Sequence, residues 1–195
     1  MEKDCWVNIE IGDKVAYSEA YVFYYKKLYN YGRKFTNDLH LIEDAIDEVF
    51  IMIWTNRQNI GKIKSPQSYI FSSFRNQVFK SLKEHRTQQL DKVVDKPEIE
   101  FYIDNILIKK ETDANLQHRI QAALQQLTNR QKEAIFLRFY EGLTYNEVAE
   151  IMNISIKATY KIVARALQGL KEILSMSNFL LMFTIKHMAA AKDFY

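Results

Sequence analysis

Apolar residues recur every three or four positions along most of the chain, the period of an α-helix with one buried face. The first such stretch, 17–34, is rich in tyrosine, and one face of it carries Tyr17, Tyr21, Tyr24, Tyr25 and Leu28. A second stretch, 41–54, has a broad apolar stripe. Both predict helices, and the aromatic stripe of the first is interpreted as core.

A third helix is predicted from Pro66 to about residue 86, because Ser65 is a favourable N-cap and proline fits the first helical position. Its apolar stripe predicts one buried side. The opposite side mixes polar and basic residues with one aromatic: Ser72, Arg75, Asn76, Phe79, Lys80, Lys83 and Arg86. This mixture suits phosphates and unstacked bases, although a solvated helix with a single exposed aromatic gives the same pattern.

Periodicity is lost between residues 87 and 112, where Pro97 and several acids occur. We interpret this stretch as a linker between two domains. A helix is predicted again at 115–127. The chain therefore reads as two helical halves.

Two capping boxes mark helix starts in the second half, Thr128 with Gln131 and Thr144 with Glu147. The first predicts a helix to about residue 140, which Gly142 ends by adopting a left-handed conformation. The second predicts a short helix that is followed by a turn at 152–155.

In that turn Asn153 can take a positive φ, and Ser155 can cap the next helix, predicted at 156–174. Three basic residues follow at four-residue spacing on its outward side: Lys157, Lys161 and Arg165. A short helix, a tight turn and a helix with a basic outer face are the parts of a helix-turn-helix, which binds duplex DNA. A plain helical hairpin with a solvated basic face is the alternative.

The composition of the 195 residues supports an all-α protein of two small domains, since only five Gly and two Pro interrupt it. The single Cys5 excludes an internal disulfide, and the four histidines are scattered, so no metal site or cofactor is expected. Neither a signal peptide nor an apolar run long enough to cross a membrane is visible, which predicts a cytoplasmic protein. No nucleophile triad or phosphate loop is present, so neither enzymatic activity nor a small-molecule substrate is expected.

The net charge of +3 is unevenly distributed. Residues 38–48 carry five acids and no base, whereas residues 62–86 carry six bases and one acid. Such neighbouring faces of opposite charge indicate two different partners, or two solvated helix faces.

The chain resembles the extracytoplasmic-function (ECF) sigma factors of the sigma-70 family, in the form found in Bacteroidetes. The run DAIDEVFIMIW at 44–54 is similar to a region 2 motif, and residues 69–76 are similar to another. Residues 127–149 are similar to region 4, as is Arg165-Ala166-Leu167. The likeness covers about 17–86 and 116–174. Asp47 replaces the usual Gln, Thr128 the usual Pro, and Ala158 a common Thr.

The resemblance implies a region 2-like domain at 1–86, a linker at 87–112, a region 4-like domain at 113–175 and a tail at 176–195. It implies RNA polymerase core (its β′ and β subunits), promoter DNA and a membrane-anchored anti-sigma factor as partners. Implied core-binding residues are Asp44, Asp47, Glu48 and Ile51. Those for the −10 element are Lys62, Lys64, Arg75, Asn76, Phe79, Lys80 and Lys83. Those for the −35 element are Ser155, Lys157, Ala158, Thr159, Lys161 and Arg165.

Two other functions fit parts of the chain. A stand-alone helix-turn-helix regulator would bind duplex operators by itself, but it normally carries a sensor or receiver domain, and residues 1–112 show no alternation of strands and helices. A helical adaptor that binds only proteins would leave the basic ridges solvated.

Overall fold

The chain divides into two compact units, residues 1–99 and 100–195. A computed structural model describes residues 3–89 of the first and 121–173 of the second, and within these ranges the chain forms helices and turns without a β-strand. The linker beyond residue 89, the expected helical residues 115–120 and the tail at 176–195 lie outside the described residues.

Within residues 3–89 the first unit contains four helices, α1 (Lys3–Glu10), α2 (Lys14–Gly32), α3 (Leu39–Thr55) and α4 (Pro66–Gln89). A 3-10 turn, Arg57–Lys62, lies between α3 and α4. The structure confirms the three helices predicted at 17–34, 41–54 and from Pro66, and α4 continues three residues past the expected end.

Side-chain caps explain where these helices begin. The Asp13 carboxylate accepts from the backbone N–H groups of Val15 and Ala16 at the start of α2, and the Asp38 carboxylate accepts from that of Leu41 at the start of α3. The predicted Ser65 cap is confirmed, since its Oγ accepts from the N–H of Ser68 at 3.2 Å. Each bond satisfies a backbone donor that has no partner within its own helix.

The core of the first unit lies where α2, α3 and α4 meet. Ile42 of α3 and Phe74 of α4 are fully buried there. Gly32, at the end of α2, permits the close approach, because a Cβ at this position would lie 2.8 Å from Cγ2 of Ile42 and 2.9 Å from Cζ of Phe74. We refer to Gly32 as the glycine notch.

Helix α1 was not predicted from the sequence. It packs against α2 and the 3-10 turn, and it buries Trp6 and Ile9. The ring of Trp6 lies 6.0 Å from that of Tyr24, centroid to centroid. The connection expected to be a polar loop also contributes to this core, since Ile60 is buried.

The second unit contains a helical segment at 121–125 and the helices α5 (Asn129–Ile135), α6 (Tyr145–Ile151) and α7 (Ile156–Ile173). A π-helical turn, Phe136–Tyr140, continues α5. The sequence predicted one regular helix to residue 140, so the π turn is a difference. Helix α7 packs against α5 and α6, and Val163, Ala166 and Leu170 are buried.

The local signals in this unit are confirmed. Both capping boxes form with their reciprocal hydrogen bonds, at Thr128 and at Thr144. Gly142 has φ 74° and Asn153 has φ 51°. The predicted turn and its left-handed residue therefore join α6 to α7.

In the parts of the chain that the structure describes, no helix is long and apolar enough to span a membrane. No group of three or more His, Cys, Asp or Glu side chains there is arranged to hold a metal ion.

Candidate functional site

One side of α3 carries the acidic face, defined as Asp44, Asp47, Glu48 and Ile51. All four side chains are exposed, and 59% of the Ile51 surface is accessible. Their spacing of three and four residues places them together on the helix surface, opposite the buried stripe that includes Ile46. The structure thus brings together the four residues that the sequence assigned to one surface.

Tyrosines of α2 line the edge of this face. The Tyr21 hydroxyl donates to Oδ1 of Asp47 at 2.8 Å, and the Tyr25 hydroxyl donates to Oε1 of Glu43 at 3.2 Å. The tyrosine number rises by four while that of its partner falls by four, so α2 and α3 run antiparallel. Sequence reasoning placed these tyrosines in the core. That was wrong for their polar ends: Tyr24 is buried, but Tyr21 and Tyr25 are half-buried.

Aromatic contacts hold the Tyr21 ring in place. It meets Phe50 edge-on at a centroid distance of 4.9 Å and lies 5.7 Å from the ring of Tyr25. Partial removal from water, with the hydrogen bond and charge of Asp47, raises the pKa of Tyr21 from 10.0 to about 12. The hydroxyl is therefore protonated, and remains a donor, throughout the physiological pH range.

The basic face of α4 lies on the same unit. Asn76, Lys80 and Lys83 are exposed on it, and Lys64 is exposed just before the helix. The Lys62 side chain lies outside the described residues.

The aromatic of this face is less open than the sequence predicted. Phe79 is half-buried, with its ring edge-on to Phe35 at a centroid distance of 5.1 Å. The guanidinium carbon of Arg75 lies 4.1 Å from the centroid of the Phe79 ring. The expectation of an exposed aromatic is corrected, because Phe35 and Arg75 both cover the Phe79 ring.

The basic ridge of α7, defined as Lys157, Lys161 and Arg165, is exposed at all three positions. Since an α-helix rises 1.5 Å per residue, neighbouring members lie about 6 Å apart along the axis. At the start of α7, the exposed Ser155 accepts the N–H of Ala158 at 3.2 Å, which confirms the predicted cap. Ala158 itself is half-buried.

The structure corrects the placement of Thr159 at an exposed tip. Thr159 has 0% accessible surface, and its hydroxyl donates to the Ser155 carbonyl at 3.2 Å. It is in phase with the buried Val163, Ala166 and Leu170. This spacing of four, seven and eleven residues is the sequence signal that could have assigned Thr159 to the core.

Sequence reasoning missed Tyr160, which is 53% exposed on α7. Its ring stacks on Tyr145 at the start of α6, with 4.1 Å between centroids and 21° between planes. The guanidinium carbon of Arg138 lies 5.1 Å from the Tyr145 centroid, and its Nη1 donates to the Leu143 carbonyl at 2.9 Å. These contacts join the π turn, α6 and the exposed surface of α7.

Comparison with protein families gives two matches. The model of Sigma-70 region 2 matches residues 21–88, and that of Sigma-70, region 4, matches residues 117–170. Together they cover more than half of the chain. The first interval holds the acidic face and the basic face of α4, and the second holds the basic ridge.

Curated relatives are similar over most of their length. The ECF RNA polymerase sigma factor SigM of Bacillus subtilis (strain 168) is 23% identical over 155 residues, which are 80% of this chain and 93% of SigM. The ECF RNA polymerase sigma factor SigK of Mycobacterium sp. (strain KMS) is 23% identical over 172 residues, which are 85% of this chain and 86% of SigK.

Two solved structures have a similar fold. The sigma factor RpoE, in complex with the anti-sigma factor NepR from Bartonella quintana, matches with a TM-score of 0.57 at 20% identity, over 82% of this chain and 97% of RpoE. CnrH, in complex with the cytosolic domain of CnrY, matches with a TM-score of 0.56 at 16% identity, over 87% of this chain and 94% of CnrH. Regions 2 and 4 in order, with relatives of matching length, show that this chain belongs to the ECF sigma factors of the sigma-70 family.

Proposed function

We propose that this chain directs promoter-specific transcription initiation in the cytoplasm, by binding core RNA polymerase and recognising the −10 and −35 elements. The observation that carries the proposal is the presence of both sigma-70 regions, in order, each with a charged surface of its own. The chain acts by positioning and strand capture rather than by covalent chemistry. Residues 1–86 form the first functional part, 87–112 the linker and 113–175 the second part.

The acidic face is the proposed core-binding surface. Three exposed carboxylates precede the exposed Ile51 on the same face of α3, so a basic helix of the polymerase gains both charge pairing and an apolar contact. Long-range attraction between such faces speeds association and weakens as salt rises. The β′ subunit supplies the basic coiled coil in this proposal, and the β subunit is the second core partner.

The basic face of α4 and the connection before it form the proposed −10 surface. Lys64, Lys80 and Lys83 hold phosphates, while Asn76 supplies an amide for base edges. The Arg75 guanidinium packs over the Phe79 ring, with 4.1 Å between its central carbon and the ring centroid. The pair offers an unstacked base a polar group and an aromatic surface side by side. Extruding a base costs a few kcal/mol, so favourable binding of the extruded base to this surface must offset the cost of opening the strands.

The basic ridge is the proposed −35 surface, together with the cap region of α7. Lys157, Lys161 and Arg165 meet backbone phosphates of the duplex, and Ser155 and Ala158 lie at the helix tip that enters the major groove. Thr159 is not part of this surface, because its side chain is buried.

A membrane-anchored anti-sigma factor is the proposed regulator. The solved complexes of RpoE with NepR and of CnrH with the cytosolic domain of CnrY support a partner of this class.

The test is run-off transcription with purified core polymerase from the source organism and genomic fragments as templates. We expect transcripts that depend on both this chain and particular fragments. Tight operator binding by the chain alone, with no dependent transcript on any fragment, would identify a stand-alone regulator instead.

A matched pair of charge reversals tests the core-binding surface. Asp44→Lys with Glu48→Lys is expected to weaken core binding about tenfold, because it turns attraction into repulsion. Asp4→Lys with Glu19→Lys makes the same change in net charge at exposed sites on α1 and α2, and it is expected to leave binding unchanged. Equal effects of the two pairs on affinity for core would refute the placement of this surface.

A further inference from the structure

Helix α3 carries carboxylates of two kinds on and beside the acidic face. Asp44 and Glu48 stand on the open side of α3. Asp47 and Glu43 lie on the side nearest α2, where each accepts a hydrogen bond from a tyrosine hydroxyl. The family likeness of the chain does not explain why two acids should be tied to tyrosines in this way.

The tyrosine hydroxyls are firmly placed. The Tyr21 ring packs edge-on against Phe50 at 4.9 Å, and the Tyr25 ring stacks on Tyr29 at 6.0 Å with 17° between planes. A tyrosine side chain has only two rotatable bonds before its ring is fixed, so these contacts leave each hydroxyl little freedom. A hydroxyl held in this way fixes the carboxylate that it contacts.

The bonded carboxylates remain available to a basic partner. An ionised carboxylate can accept about four hydrogen bonds, and the tyrosine uses one of them. The raised pKa of Tyr21 has burial as its largest cause, followed by the Asp47 bond. The proton thus stays on the tyrosine, whose hydroxyl remains the donor to Asp47.

Stability alone is a weak reason for these contacts. The Tyr21–Asp47 bond is exposed to solvent, and water replaces a lost partner at such a site at little cost. Orienting a carboxylate before a partner arrives, in contrast, reduces the side-chain freedom that must be lost on binding.

We propose that Tyr21 and Tyr25 are positioning residues for polymerase binding, whose hydroxyls hold Asp47 and Glu43 in the conformations that a basic helix of the core engages. Glu43 thereby joins the core-binding surface. This inference rests on the proposed function of the acidic face. Removal of the Tyr21 hydroxyl is expected to weaken core binding about three- to tenfold, the range set by freeing one side chain.

The test is a double-mutant cycle on the full chain, labelled with a fluorophore and titrated with core polymerase from the source organism. The four proteins are wild type, Tyr21→Phe, Asp47→Ala and the double variant. If the hydroxyl acts through the carboxylate, Tyr21→Phe weakens binding in the wild-type background and has no effect in the Asp47→Ala background.

A second cycle joins Tyr25→Phe with Glu43→Ala. The control is Tyr29→Phe, which removes a hydroxyl from the same row; among the described residues this hydroxyl makes no hydrogen bond to a carboxylate. It is expected to bind core like the wild type. Urea unfolding, followed by tryptophan fluorescence, should show the same midpoint for Tyr21→Phe and Tyr29→Phe.

The outcomes separate the two levels of the proposal. Unchanged binding by Asp47→Ala would remove Asp47 from the core-binding surface, and the inference with it. Weakened binding by Asp47→Ala with unchanged binding by Tyr21→Phe would refute only the positioning role. A Tyr21→Phe effect that persists in the Asp47→Ala background would also refute it, since the tyrosine would then act by itself.

Discussion

Replacing Gly32 by alanine should destabilise the first unit. The added methyl group would lie 2.8 Å from Cγ2 of Ile42 and 2.9 Å from Cζ of Phe74, whereas carbon atoms in contact lie about 3.5–4.0 Å apart. Both neighbours are fully buried, so neither has space to turn away. Relief therefore requires α2 to move away from α3 and α4.

The magnitude follows from two opposing effects. Forcing an extra carbon into a packed core costs about 1–3 kcal/mol. Alanine is favoured over glycine inside a helix by up to about 1 kcal/mol, but Gly32 is the last residue of α2, which reduces this gain. We expect a net loss of about 1–2 kcal/mol in the free energy of unfolding.

The assay is urea unfolding followed by tryptophan fluorescence. The only two tryptophans of the chain, Trp6 and Trp54, are both in the first unit, so the signal reports on that unit. With a urea dependence of about 1–2 kcal/mol per molar for a unit of this size, the midpoint should fall by about 1 M.

Gly169→Ala is the matched control, since the added methyl group would lie 3.7 Å from Cδ2 of Leu127, an ordinary contact. Here the helix preference dominates, and amide exchange in α7 should slow in line with a gain of about 0.4–1 kcal/mol. A Gly32→Ala protein that unfolds at or above the wild-type midpoint would show that the packing around Gly32 is not as tight as described.

Three further predictions address single features. Thr144→Ala should destabilise the second unit by about 1 kcal/mol, because the capping box with Glu147 is lost. Faster amide exchange in α6 would measure this loss. Thr144→Ser should retain the cap, and equal exchange rates in the two variants would contradict its role. Lys161→Ala and Arg165→Ala should each lower the slope of log promoter affinity against log salt by about 1 while sparing core binding; fluorescence anisotropy of the holoenzyme on promoter DNA measures this, and an unchanged slope would mean that no phosphate is contacted. The folded pKa of Tyr21 is raised from 10.0 to about 12, mainly because burial disfavours the ionised phenol. Ionisation of Tyr21 therefore leaves the free energy of unfolding unchanged below about pH 10 and lowers it as the pH rises from there to 12. Urea unfolding should therefore show a difference between wild type and Tyr21→Phe that is constant from pH 7 to 9 and changes only above pH 10.

Features that depend on neighbouring residues could be predicted from the sequence. The caps at Thr128, Thr144 and Ser155 involve groups at most three residues away. The turn at Asn153 likewise depends on the residue's own conformational preference. Short-range chemistry of this kind is fully present in the sequence pattern.

Features that depend on distant contacts could not be predicted. Helix α1 is stabilised by the burial of Trp6 and Ile9 against α2 and the 3-10 turn, and no local signal specifies that packing. Tyr21 and Asp47 are 26 residues apart. A tyrosine on an apolar stripe is predicted to be buried in the core. The hydrogen bond between its hydroxyl and an acid of α3 can be predicted only when the antiparallel register of α2 and α3 is known.

The candidate surfaces show the same division. The acidic face and the basic ridge follow from helical spacing alone, so their members were placed together correctly. Thr159 was predicted at the exposed tip of α7 because of its residue type. Its position in the helical repeat, however, places it on the same side as the buried Val163 and Ala166. The stacking of Tyr160 on Tyr145 depends on how the turn brings α6 against α7, which spacing does not reveal.

The tyrosine–carboxylate bonds do not by themselves select how α2 lies along α3. Tyr17, Tyr21, Tyr25 and Tyr29 recur every four residues, and so do Glu43 and Asp47. A slide of α2 by one helical turn would pair Tyr17 with Asp47 and Tyr21 with Glu43, and a slide in the opposite direction would pair Tyr25 with Asp47 and Tyr29 with Glu43. Two such bonds could form in each arrangement, so the bonds do not distinguish the three alignments.

The glycine notch removes that degeneracy. In the observed alignment Gly32 leaves room for Ile42 and Phe74. The first slide would bring Leu28, four residues earlier, to the same crossing point, and the opposite slide would bring Thr36, four residues later. Either side chain there would force the helices apart. The alignment of α2 along α3 is thus fixed by Gly32, at the end of α2. The proposed polymerase-binding surface therefore depends on a glycine that lies outside that surface.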